Sequence, residues 1–74
     1  MMRFQIQLNS IEDAIRMVDH LEQYEQPVDA QIGSYMVDAT SLIGLISMGL
    51  GKKVELLVRG DVTENFHQMI HEFQ

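Results

Sequence analysis

The sequence predicts an α+β fold, a four-stranded antiparallel sheet carrying three helices on one face. Three observations predict it. Short segments alternate apolar and polar residues, other segments carry apolar stripes at three-and-four spacing behind capping residues, and turn residues separate the two kinds in the order β-α-β-β-α-β-α. Strands with one wet face belong to a sheet covered on one side only, and such sheets are antiparallel.

The first strand spans residues 3–8, where Phe4, Ile6 and Leu8 share one face and Arg3, Gln5 and Gln7 the other. Asn9 and Ser10 end the alternation. Ser10 with Asp13 three residues later has the form of a capping box, so a helix starts here, with Ile11, Ala14, Ile15, Val18 and Leu21 as its apolar stripe and its end at Tyr24 or Glu25, ahead of Pro27. Two strands follow at 28–32 and 35–38, joined as a hairpin by Gly33-Ser34. Asp38-Ala39-Thr40-Ser41 leads into a short second helix, and Gly49-Leu50 has the sequence form of a Schellman stop. Residues 53–59 alternate again, with Val54, Leu56 and Val58 inward, as the last strand. Gly60 breaks it, Asp61 is placed to cap, Glu64 occupies the capping-box position, and Phe66, Met69, Ile70 and Phe73 form the stripe of a C-terminal helix.

The 74 residues suffice for one domain, residues 1–74, with a single core. Eleven acidic against five basic residues give a net charge of −6, and Arg3, Arg16, Lys52, Lys53 and Arg59 are scattered, which argues against nucleic-acid and membrane-surface roles. The most apolar stretch, 42–50, is about half the length a membrane span requires, and the N-terminus alternates where a signal peptide would be continuously apolar. The absence of cysteine removes disulfides and thiolate metal sites and fits a cytoplasmic protein.

The run Ser41, Leu42, Ile43, Gly44, Leu45, Ile46, Ser47, Met48, Gly49, Leu50 resembles the regulatory-serine segment of HPr, the phosphocarrier of the bacterial sugar phosphotransferase system. In that family a serine opens the second helix and is followed by two apolar residues, a glycine, two apolar residues, serine, apolar, glycine, apolar. The element order is also the family's. The resemblance implies an HPr-like open-faced sandwich in a bacterial protein. The family's Gly-x-His-x-Arg-Pro motif, which carries the phosphorylated histidine, is missing: the corresponding region reads Asn9-Ser10-Ile11-Glu12-Asp13. Ser10 or a neighbour falls where the histidine would be, and Glu12 or Asp13 where the family has a cation and a proline. Two carboxylates in a first turn repel a phosphoryl group, so the histidine relay is expected to be lost. A catabolite-repression variant within the family likewise lacks the histidine and keeps the serine.

Ser41 is then the position that, by resemblance, a dedicated HPr serine kinase phosphorylates; the other reading is that Ser41, or Thr40, only caps the helix. Leu42, Ile43 and Ile46, with Ser47 beside them, match the family's partner-docking positions, and the second helix is more apolar than a helix on a sheet needs. Such a surface takes a protein partner, an HPr serine kinase or a transcriptional regulator, or a second copy of the chain. His67 and His71 are four apart on the last helix and His20 lies opposite the first helix's stripe, but none has a companion ligand set, so no metal and no cofactor is expected. No serine has a histidine and carboxylate at a recognisable spacing, so no catalytic residue is assigned and the chain is read as a non-enzyme. The six methionines read as adaptable filler. The leading expectation is a regulatory or interaction module acting through the Ser41 helix. The rivals are a phosphocarrier that accepts phosphate at Ser10 or His20, and a homo-oligomer that buries Ile43 and Ile46.

Overall fold

A computed structural model describes all residues, Met1–Gln74, as β1 (Met2–Gln7), α1 (Ile11–Glu22), β2 (Val28–Ile32), β3 (Tyr35–Asp38), α2 (Leu42–Met48), β4 (Lys53–Val58) and α3 (Glu64–His71). The order is the expected one. The four strands form one sheet in the order β1-β4-β2-β3, antiparallel at every pair, so the last strand in the chain lies inside the sheet between β1 and β2. The registers Phe4↔Leu56 and Leu56↔Ala30, extended by Ala30↔Val37, set one inward row across all four strands. Seventeen buried residues from the sheet and the three helices form a single cluster on this side. No helix is long and apolar enough to cross a membrane.

Local chemistry explains the boundaries, with some corrections to the sequence reading. Gly33 takes φ +58° while no other residue type has positive φ, so the β2–β3 turn has the II′ pattern at its first central position. Helix α1 ends earlier than Tyr24: the Gln23 and Tyr24 amides turn to the His20 and Leu21 carbonyls, and the Tyr24 ring packs on Phe66 with centroids 4.6 Å apart. Gly49 ends α2 at φ 102°, ψ 126°, which glycine tolerates but which is not the left-handed helical geometry of a Schellman stop. The cap of α3 is Thr63, whose hydroxyl accepts from the Phe66 amide at 3.1 Å; Asp61 instead accepts the Tyr24 hydroxyl through its backbone carbonyl. Phe66 sets this phase, because its ring is held between Phe4 and Tyr24.

Two burial assignments also change. In α1 the core side is Ala14, Met17, Val18 and Leu21, whereas Ile11 and Ile15 stand on an exposed flank. The sheet's outer face is not uniformly wet, since Leu57 is only 3% exposed there. It lies between Arg3 and Asp29 in register, and the pairs Arg3–Glu55 at 2.8 Å and Arg59–Asp29 at 2.9 Å draw two arginine stems alongside it.

Met17 is 0% and Ile15 is 42% exposed, so Met17→Ala lowers unfolding stability by about 2–5 kcal/mol and Ile15→Ala by less than about 1 kcal/mol, measured as shifts of urea midpoints. Equal losses would contradict this orientation of α1.

Candidate functional site

The site is built from the first turns of α1 and α2 and the flanks between them. At α1, the Ser10 hydroxyl accepts from the Asp13 amide at 3.1 Å, and the Asp13 carboxylate accepts from the Asn9 amide at 3.1 Å. The reciprocal bond thus reaches one residue further back than in a standard capping box. The other carboxylate oxygen of Asp13 takes Arg16 at 3.1 Å, and Arg16 also holds Glu72 at 3.0 Å while its guanidinium lies 5.0 Å from the Phe73 ring centre. This helix start is therefore already supplied with an anion, and the nearby cation is shared between two carboxylates. After Ser10 and Ile11, Glu12 and Asp13 put two carboxylates in this first turn.

The start of α2 differs in sign. The Ser41 hydroxyl accepts from the Gly44 amide at 3.1 Å, and no acidic residue lies in the first turn. Ser41 is exposed. It is placed by a small turn that composition and periodicity did not reveal as important: Asp38 Oδ1 accepts from the Thr40 amide at 2.9 Å and from the Thr40 hydroxyl at 2.7 Å, while the Asp38 carbonyl accepts the Ser41 amide at 3.0 Å. The Asp-x-Thr spacing is its sequence signal. These two bonds from Thr40, hydroxyl first and amide second, hold the Asp38 carboxyl below its ordinary value of 3.8, with slight burial opposing them.

Between these two starts lies an apolar strip. Leu45 and Met48 face the core, so Ile43 projects directly outward and is 82% exposed. Leu42 and Ile46 sit half-buried on one flank of α2; Gly44 and Ser47 occupy the other, over β3, where the Ser47 hydroxyl lies 3.0 Å from that of Tyr35. Arg16 and His20 mark the side of α1 that faces α3, through Glu72 and Phe73, which puts Ile11 and Ile15 on the opposite flank, toward α2. Ile11 and Ile15 thus extend the Leu42, Ile43 and Ile46 surface. Both belong to the apolar stripe read from the sequence, and a stripe that wide satisfies the helical period whichever edge is buried.

The histidines do not converge. His20 Nε2 lies 3.7 Å from Glu72, His67 packs edge-on against Phe4 with centroids 5.4 Å apart, and His71 is exposed. No three His, Asp or Glu side chains gather as metal ligands. A shallow cleft of about 270 Å³ between the end of α1 and the start of α3 is lined by His20, Gln23, Tyr24, Thr63 and Phe66 among others.

No protein-family model matches the chain, and no curated protein matches its sequence. Among solved structures it is similar to HPr-C-His from Thermoanaerobacter tengcongensis, with a TM-score of 0.78 at 20% identity over 97% of this chain and 89% of the other. The fold is therefore HPr-like.

Because the folded state favours the ionised Asp38, the stability this group contributes is present above the unfolded carboxyl's value and is lost as pH falls through the lowered folded one. Thr40→Val removes the larger cause, so the Asp38 midpoint, followed by NMR of its carboxyl carbon, moves up toward 3.8. An unmoved midpoint would show that the hydroxyl is not responsible.

Proposed function

We propose that this chain is a bacterial, cytoplasmic HPr-type protein of the sugar phosphotransferase family that does not relay phosphate through a histidine. It is not an enzyme and acts as a regulatory module, engaging protein partners through the surface formed by Leu42, Ile43, Ile46 and Ser47, with Ser41 as the regulated position. The observation that carries this reading is the 82% exposure of Ile43 beside a capping serine, on an HPr-like fold. An isoleucine so placed contributes nothing to the core, and burial on a partner is what recovers its hydrophobic free energy.

The contrast between the two helix starts supports the rest. Phosphate on Ser41 would meet free amides and the positive end of α2 with no first-turn carboxylate to repel it. A phosphoryl group at Ser10 would meet Glu12 and the Asp13 carboxylate, which already accepts the local amide. His20, on the last turn of α1, has neither free amides nor an unshared cation. The natural partners are an HPr serine kinase and a transcriptional regulator that reads the state of Ser41.

Incubation with ATP and an HPr serine kinase is expected to add one phosphoryl group by intact-mass spectrometry, absent in Ser41→Ala, while phosphoenolpyruvate with enzyme I adds none. A gain only in the phosphoenolpyruvate arm would overturn the proposal. Ile43→Asp keeps the unfolding stability, taken from urea unfolding, within about 0.5 kcal/mol of the parent and weakens binding to the kinase at least about tenfold, read by titration calorimetry. Unweakened binding would remove Ile43 from the docking surface.

A further inference from the structure

The two margins of the sheet differ. On β1 the outward-facing groups are covered by the end of the chain: the Gln7 amide donates to the Phe73 carbonyl at 2.8 Å, and the Gln5 carbonyl accepts from Gln74 Nε2 at 3.1 Å. On β3 no such cover exists. The Ala39 amide donates to the Val28 carbonyl at 2.9 Å, which with the register Ala30↔Val37 and Ile32↔Tyr35 fixes the phase of the hairpin. Val37 and Tyr35 exchange bonds with β2, so Met36 turns its N–H and C=O outward, away from the sheet. Helix α2 lies over the inner face of β3 through Gly44, Ser47 and Tyr35, and leaves this margin open. Met36 and Tyr35 are 44% and 51% exposed. The strand carries no lysine, proline or bulge, the devices that keep sheet edges from pairing.

We propose that β3 pairs antiparallel with β3 of a second copy of this chain about a two-fold axis through Met36, joining two four-stranded sheets into one of eight strands. The occupant follows from self-complementarity. Residues opposed across an antiparallel pair share a face, so a two-fold register centres on a residue. Centred on Asp38, it opposes two carboxylates; centred on Val37, it puts each Met36 against the other copy's Asp38. Shifted toward the turn, it carries Asp38 past Gly33-Ser34, where the strand has ended. Centred on Met36, it gives two N–H···O bonds between the Met36 residues, puts Asp38 opposite Ser34, and opposes Tyr35 and Val37 on the helix side. The overlap is one short strand, so the dimer is weak, and two charges of −6 repel, so salt strengthens it. This margin is separate from the Ile43 surface, and the inference does not depend on the proposed function.

Sedimentation from about 10 µM to about 1 mM tests it in the range of weak association. The expected result is a dimer fraction that grows with concentration and is larger at high than at low salt, with the Met36 amide gaining hydrogen-exchange protection in parallel. Met36→Lys, which opposes two ammonium groups, and Met36→Pro, which removes the outward donor without removing a bond to β2, stay monomeric, while Ile43→Asp dimerises as the parent does. A strict monomer at the highest concentration overturns the proposal, as does a dimer that leaves the Met36 amide unprotected, survives Met36→Lys or is abolished by Ile43→Asp. The amide readout uses the unmodified chain and so stands even where the proline variant fails to fold.

Discussion

The rest of the structure depends on β4 being bonded on both sides. It is the last strand to emerge, yet it is the one that joins β1 to the β2–β3 hairpin, through pairs such as Phe4↔Leu56 and Leu56↔Ala30. Without it the chain would hold a lone N-terminal strand and an isolated hairpin, neither of which is stable in water. Its inward Val54, Leu56 and Val58 are all buried, and Leu57 is buried on the opposite face as well. A strand flanked on both sides loses solvent at its edges, so even its outward residue is shielded by neighbours, as Arg3 and Asp29 shield Leu57.

That arrangement also sets the two helix starts at opposite ends of the sheet, because β1 and β3 run antiparallel, and the end of α2 meets the start of α1 where the Gly51 amide donates to the Leu8 carbonyl. Helix α1 follows β1 at one margin and α2 follows β3 at the other, and both must cross the same inner face to cover the core. The charge at each start then separates their roles. Glu12 and Asp13 place negative charge at the positive end of α1, and Asp13, through Arg16 and Glu72, ties it to the region beyond α3; these exposed ion pairs orient side chains more than they stabilise. At α2 the cap is a neutral hydroxyl held in place by the Asp38–Thr40 turn, and the first turn is free of acid. Next to it the outer surface of α2 remains apolar, because the seven-residue helix has only Leu45 and Met48 to spend on the core.

Much of this was legible in the sequence. The alternation of Phe4, Ile6 and Leu8 and of Val54, Leu56 and Val58, the caps Ser10 and Ser41, and the Gly33-Ser34 turn are local signals, each carried by residues a few positions apart, and they placed seven elements in their order. Leu42, Ile43, Ile46 and Ser47 were legible as surface candidates because their helix is too apolar for its length. Local signals failed where several answers were locally equal. Thr63 and Asp61 both suit a cap, and the packing of Phe66 between Phe4 and Tyr24 selected Thr63.

By itself the sequence determined which segments are strands and helices and which strand faces are apolar. Only the tertiary structure decided which margin of α1's broad apolar stripe is buried, turning Met17 inward and leaving Ile11 and Ile15 beside α2. It alone also decided that the C-terminal residues guard the β1 edge while the β3 edge stays open. The physical reason is range. Periodicity and capping are set by neighbours within one turn or one strand, whereas burial and edge protection are set by partners tens of residues away, such as Glu72 for Arg16 and Phe73 for Gln7.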